Sequence, residues 1–125
     1  MIMITGGAFQ GKTRYTVENL HISDLVNGAD CDFTNIKNIN GYHILVRRLM
    51  ENGIDPIAYT ERFCRENPDS TVIIDEIGCG IIPMEKEERQ WREAVGRCGC
   101  IIAENSEIVV RMVCGIPVFI KGGAE

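Results

Sequence analysis

One eight-residue run, Gly6-Gly7-Ala8-Phe9-Gln10-Gly11-Lys12-Thr13, constrains this chain more than any other. It satisfies the whole G-x-x-x-x-G-K-[ST] pattern and follows directly on the apolar stretch Met1-Ile2-Met3-Ile4. The stretch Met1 to Thr5 reads as a short buried strand, and Lys12 to about Leu20 or Asn27 as the helix that follows. A glycine-rich turn between strand and helix lets successive backbone N–H groups face inward around phosphate oxygens, with the positive end of the helix dipole behind them. In that reading Gly6, Gly7, Ala8, Phe9, Gln10, Gly11 and Arg14 line a nucleotide, Lys12 reaches the β- and γ-phosphates, and Thr13 ligates Mg²⁺. The competing reading is a strand-to-helix turn that binds nothing.

The rest of the chain predicts an α/β fold with a mostly parallel central sheet flanked by helices, in one domain over residues 1–125. Residues 28–40 are polar and turn-rich, with one short strand expected near Cys31 to Thr34. From Gly41 onward Ile44, Leu45, Leu49 and Met50 recur at helical spacing, with Asn40 as a cap and Asn52-Gly53 as a stop. A second helix spans Ile57 to Glu66, and Asn67-Pro68-Asp69-Ser70 ends it before the β-branched strand Thr71-Val72-Ile73-Ile74. Between Glu85 and about Asn105, Trp91, Ala94, Val95, Cys98, Ile101 and Ile102 fall on one side of a long helix. Two strands close the chain, Glu107 to Val113 and Val118 to Lys121, separated by Gly115-Ile116-Pro117.

Composition removes several classes of function. No stretch approaches the ~18 consecutive apolar residues of a membrane span, and no basic lead precedes a long apolar segment, so a cytoplasmic location is expected. A formal net charge of -5 argues against nucleic acid or anionic membrane as a partner. The six cysteines, at positions 31, 64, 79, 98, 100 and 114, form no C-x-x-C pair and read as reduced thiols.

A second constellation follows Val72-Ile73-Ile74, where Asp75 and Glu76 emerge at the carboxyl end of a parallel strand, the edge at which ligands of open α/β sheets collect. A carboxylate there can hold Mg²⁺ directly or through water while its neighbour polarises an attacking hydroxyl. A solvated strand end is the plainer alternative.

Together these residues resemble the adenosylcobinamide kinase / adenosylcobinamide-phosphate guanylyltransferases of cobalamin biosynthesis. Met3-Ile4-Thr5-Gly6-Gly7-Ala8 with Gly11-Lys12-Thr13-Arg14 is similar to that family's T-G-G-A-x-x-G-K-S-R, and Asp75-Glu76-Ile77-Gly78-Cys79-Gly80-Ile81-Ile82-Pro83 to its N-E-V-G-x-G-I-V-P. The likeness continues through Arg89, Trp91-Arg92-Glu93, Gly96-Arg97, Gly115-Ile116-Pro117 and Lys121. It implies a RecA-type P-loop NTPase fold, ATP or GTP as substrate, Mg²⁺, adenosylcobinamide as the corrinoid acceptor, and a homo-oligomer, a trimer. It also implies two activities: phosphorylation of the aminopropanol hydroxyl of adenosylcobinamide, then GMP transfer from GTP through a guanylylated histidine.

Departures from the family fall in the middle of the chain. Members carry a longer segment there, with a separate strand ending in the acidic magnesium residue, and residues 20–70 are short for all of it. Asp75 stands where the family has Asn and is expected to take over the metal role, while Gly99 and Cys100 occupy Asn and Gln positions. Only His21 and His43 are available as guanylyl acceptor. His43 with Arg47 keeps the H-x-x-x-R spacing of the acceptor region, against the reading of a helix-surface histidine. Arg92 matches a family arginine and is a candidate for charge neutralisation, whereas Trp91, on the apolar stripe, is expected to pack in the core. The expectation is a corrinoid kinase with Lys12, Asp75 and Glu76 as its catalytic groups. The alternatives are a nucleotide-binding regulatory module without corrinoid activity and a small P-loop kinase for another alcohol.

Overall fold

A computed structural model describes residues 1–77 and 85–123. The family-like stretch Gly78 to Pro83 therefore lies outside the described residues. The elements are β1 (Ile2–Gly6), α1 (Lys12–Glu18), β2 (Val26–Asn27), β3 (Ile39–Asn40), α2 (Tyr42–Glu51), α3 (Pro56–Glu66), β4 (Thr71–Asp75), α4 (Lys86–Asn105), β5 (Ile108–Val113) and β6 (Ile116–Lys121). They build one six-stranded sheet in the order β2-β3-β4-β1-β5-β6, parallel throughout except for the antiparallel β6.

Strand alternation divides the core into two layers. Met3, Val72, Ile74 and Val109 face α2, α3 and α4, where Leu45, Val46, Leu49, Phe63, Val95, Cys98 and Ile102 meet them. Ile4, Ile73, Val110 and Met112 face the other way, against Tyr15 of α1 and the segment carrying Leu20 and Leu25. Ile4, Ile73 and Val110 are essentially inaccessible, and burying such a side chain contributes about 1.5–3 kcal/mol. That burial on both faces makes β1, β4 and β5 the rigid centre of the sheet. A buried hydrogen bond of 2.7 Å between the Tyr42 and Thr60 hydroxyls ties α2 to α3.

Four local expectations are corrected. Helix α1 ends at Glu18, not at Leu20 or Asn27, because Asn19 caps it and His21 turns into the left-handed region at φ 58°. No strand forms at Cys31 to Thr34. There the Arg48 guanidinium donates to the Gly28 and Cys31 carbonyls and the Tyr59 hydroxyl to the Phe33 carbonyl, so side chains satisfy backbone groups that a sheet neighbour would otherwise take. The strands of this region are instead the two-residue β2 and β3. Asn40 does not cap α2: it is the last residue of β3, and Gly41, at φ 88°, takes the cap position. Finally, β6 starts two residues early, at Ile116, because Cys114 and Gly115 both adopt positive φ and close a tight turn from β5.

Candidate functional site

The glycine run leaves the centre of the sheet. Gly6, the last residue of β1, is paired in register with Asp75 on β4 and with Met112 on β5. Its φ is 145°, and a Cβ there would lie 2.7 Å from the Met112 carbonyl oxygen, so only glycine fits between the two neighbours. Gly11 then adopts φ 87° to start α1, while Phe9 stands fully exposed at φ 61°. Gln10 fastens the loop to the β5–β6 turn: its carbonyl accepts from Gly115 N at 3.1 Å, and its side-chain oxygen accepts from Cys114 N.

At the carboxyl edge of the sheet the loop side chains meet the ends of β3 and β4. Lys12, with its side chain only 6% exposed, donates from Nζ to the Gly7 carbonyl at 2.6 Å and pairs with Asp75 Oδ1 at 2.8 Å. Thr13 Oγ1 accepts from Asn40 Nδ2 at 3.0 Å. His43, in the first turn of α2, accepts the Asp75 backbone N–H on Nδ1 at 3.1 Å and places Nε2 3.5 Å from Asp75 Oδ2. The helix-surface reading of His43 is therefore corrected, since its side chain is 14% exposed and faces the end of β4. Burial holds the imidazole below its ordinary pKa; the Asp75 carboxylate opposes that shift and the Lys12 ammonium adds to it.

The structure thus brings Lys12, Asp75 and His43 together, sets Thr13 beside Asn40 on the neighbouring strand, and gives Glu76 and Arg14 partners of their own. Glu76 is held by Arg111 of β5 in a two-point ion pair, with Nε–Oε1 at 2.8 Å and Nη2–Oε2 at 3.1 Å. Arg14 pairs with Glu18 on the exposed side of α1. Arg92 lies partly buried on α4. Trp91 packs against the core as expected and donates from Nε1 to the His43 carbonyl at 2.9 Å, with the Arg47 guanidinium stacked 4.3 Å from its ring centre.

Two residues were not singled out for the site from the sequence, Asn40 and Arg111. Asn40 carried a usable signal: a polar side chain directly behind buried Ile39 and before Gly41, the pattern of a strand that ends at the sheet edge. Arg111 carried none, because its role depends on pairing with Glu76, distant in sequence.

The oxygen donors of Thr13 and Asp75 suit a hard divalent cation. Mg²⁺ takes one or two protein groups when phosphates and water complete its shell. Among the described residues no three His, Cys, Asp or Glu side chains converge on one point. Cys31, Cys64, Cys98, Cys100 and Cys114 are free thiols, and no described helix is long and apolar enough to cross a membrane.

An open, mostly parallel α/β sheet with a charged cluster at its carboxyl edge defines a class whose ligands bind at that edge. A family model described as cobinamide kinase / cobinamide phosphate guanyltransferase matches residues 44–120, more than half of the chain. The chain belongs to that family. No curated protein matches the sequence. The matched region includes Asp75, Glu76 and Arg111 and begins just after His43, so the glycine loop and Asn40 precede it.

Proposed function

We propose that the chain is a Mg²⁺-dependent kinase on a RecA-type P-loop fold, transferring the γ-phosphoryl group of ATP or GTP to the aminopropanol hydroxyl of adenosylcobinamide. The observation that carries this reading is the pairing of Lys12 with Asp75 at the end of β4, beside the bond between Thr13 and Asn40 at the end of the neighbouring β3. The position of β1 between β4 and β5, and the family membership, support it from independent directions.

Lys12 Nζ is held by the Gly7 carbonyl and Asp75. A triphosphate entering the loop offers oxygens of higher charge, so Nζ exchanges Asp75 for them and Asp75 Oδ1 is released. Thr13 Oγ1 has a second lone pair besides the one facing Asn40. It would hold Mg²⁺ directly, with Asp75 doing so through water. When bound, Mg²⁺ neutralises charge on the β- and γ-phosphate oxygens. The acceptor oxygen bonds to the γ-phosphorus as the bridge to the β-phosphate breaks, the nucleoside diphosphate leaves, and Asp75 receives the hydroxyl proton. Positioning and charge neutralisation supply most of the acceleration in such transfers.

Self-association is proposed through β6, a sheet edge on which Ile116, Val118, Phe119 and Ile120 are all exposed. The kinase is tested with γ-labelled ATP or GTP, Mg²⁺ and adenosylcobinamide, and label is expected in the corrinoid. Folded protein that binds nucleotide and leaves the corrinoid unlabelled refutes the acceptor assignment.

A further inference from the structure

The two histidines occupy very different places. His21 is exposed and lies beyond the carboxyl end of α1, whose amino end carries Lys12. Seven residues of helix put about 10 Å between those ends. His43 is at the site, but the bonding pattern of its ring decides what it can do there. A nucleophilic imidazole attacks through an unprotonated nitrogen whose lone pair is free. Nδ1 spends its lone pair on the Asp75 backbone N–H. In the neutral ring the proton then resides on Nε2, which faces Asp75 Oδ2 and has no lone pair to offer. The backbone that carries the ring is also anchored, because the His43 carbonyl accepts from Trp91 Nε1.

We propose that His43 is the positioning residue for Asp75 and not a guanylyl acceptor, so that this chain performs phosphoryl transfer without a histidine-borne guanylyl transfer. The assignment rests on the kinase reading above for the use made of Asp75; the state of the ring is independent of it. Asp75 is the last residue of β4, and β1 holds the backbone on one side of it, through the Glu76 amide on the Gly6 carbonyl, while His43 takes its own amide. Lys12 holds one of its oxygens only until phosphate arrives. His43 is the group that remains, gripping the backbone amide and facing the second carboxylate oxygen throughout the exchange.

Three measurements test this. Long-range ¹H–¹⁵N NMR on histidine-labelled protein is expected to show Nδ1 with a pyridine-type shift and Nε2 with a pyrrole-type shift; the reverse pattern overturns the assignment. Incubation with α-labelled GTP and Mg²⁺ is expected to leave no acid-labile, alkali-stable label on the protein. Label that His43→Ala abolishes overturns it.

The third measurement compares His43→Asn with His43→Ala. Asn keeps an acceptor where Nδ1 stands, so His43→Asn should retain most of kcat while His43→Ala loses about 10–100-fold, the usual cost of removing an orienting partner. Equal loss in the two variants, or no loss in either, refutes the positioning role. If the NMR and labelling results hold but the wild-type protein phosphorylates no corrinoid, the acceptor assignment fails and the reading of His43 stands.

Discussion

The pairing of Lys12 with Asp75 makes a prediction whose sign is unusual: removing a carboxylate from the site should tighten the binding of metal-free nucleotide. The ammonium is 6% exposed and the carboxylate 22%, and they are 2.8 Å apart. Exposed pairs contribute about 0–1 kcal/mol, whereas breaking a buried one costs about 3–5 kcal/mol. This half-sheltered pair, with the Gly7 carbonyl as a second partner for Nζ, belongs between those limits, at about 1–2 kcal/mol of coupling. Because Lys12 must leave Asp75 to reach phosphate, that coupling opposes binding. Asp75→Ala should therefore bind triphosphate in EDTA more tightly, by about five- to thirty-fold in Kd. Part of any gain is relief of simple repulsion between carboxylate and phosphate, which would persist in a Lys12→Ala background. Calorimetric titration of wild type, both single variants and the double variant separates the two terms. The pair accounts for the difference between the two gains. Equal gains in both backgrounds, or weaker binding by Asp75→Ala, would refute the exchange of Lys12 between carboxylate and phosphate.

Two further predictions follow from the loop and the core. Gly6→Ala would force a Cβ to within 2.7 Å of the Met112 carbonyl at φ 145°; such backbone strain costs about 1–3 kcal/mol before the separation of β1 from β5 is counted. A loss of about 3 kcal/mol or more in urea unfolding is expected. Gly7→Ala meets only Gln10 Cγ at 3.8 Å and should stay within about 0.5 kcal/mol of wild type, so matching midpoints for the two variants would contradict the geometry. Burial, aided by neighbouring Cys98 and opposed by the N-terminal ammonium, pushes the Cys64 thiol up to about 11 from an ordinary value of 9.0. A pKa raised on folding favours the native state below the unfolded value, so Cys64 stabilises the fold fully below pH 9.0 and its contribution fades as pH rises toward 11. At pH 8, thiol titration should modify exposed Cys100 and Cys114 rapidly and Cys64 only on unfolding. Rapid native-state modification of Cys64 would refute its burial.

What was legible in the sequence follows from how far each signal reaches along the chain. β1, the glycine loop, α3, β4 and α4 each carry a complete local pattern, and the structure places them within a residue or two of expectation. β2 and β3 have two residues each, too few for a period to register. Cys31 and Phe33, in the stretch where a short strand was expected, instead pack irregular chain against the core. His43 sits beside the apolar stripe of α2, which reads as surface until one knows that the end of β4 lies beneath the first turn of that helix.

Beside β4 the sheet carries the two-residue strand β3, which ends in the uncharged Asn40, while the carboxylate stands one strand over, at Asp75. This placement has an electrostatic consequence. Around the loop, Lys12 is balanced by Asp75 and Glu76 by Arg111, while Asn40 adds no charge. The approach to the loop is therefore close to neutral locally although the chain carries a formal charge of -5. An acid at position 40 would add one charge repelling a polyphosphate and one more oxygen ligand attracting a cation. With the amide, the site keeps Thr13 in place through a hydrogen bond and leaves Asp75, among the described residues, as the one carboxylate paired with the loop lysine. On the proposed kinase reading, that division places the work of two acids on the orientation of Asp75, and hence on the grip of His43 on its backbone amide.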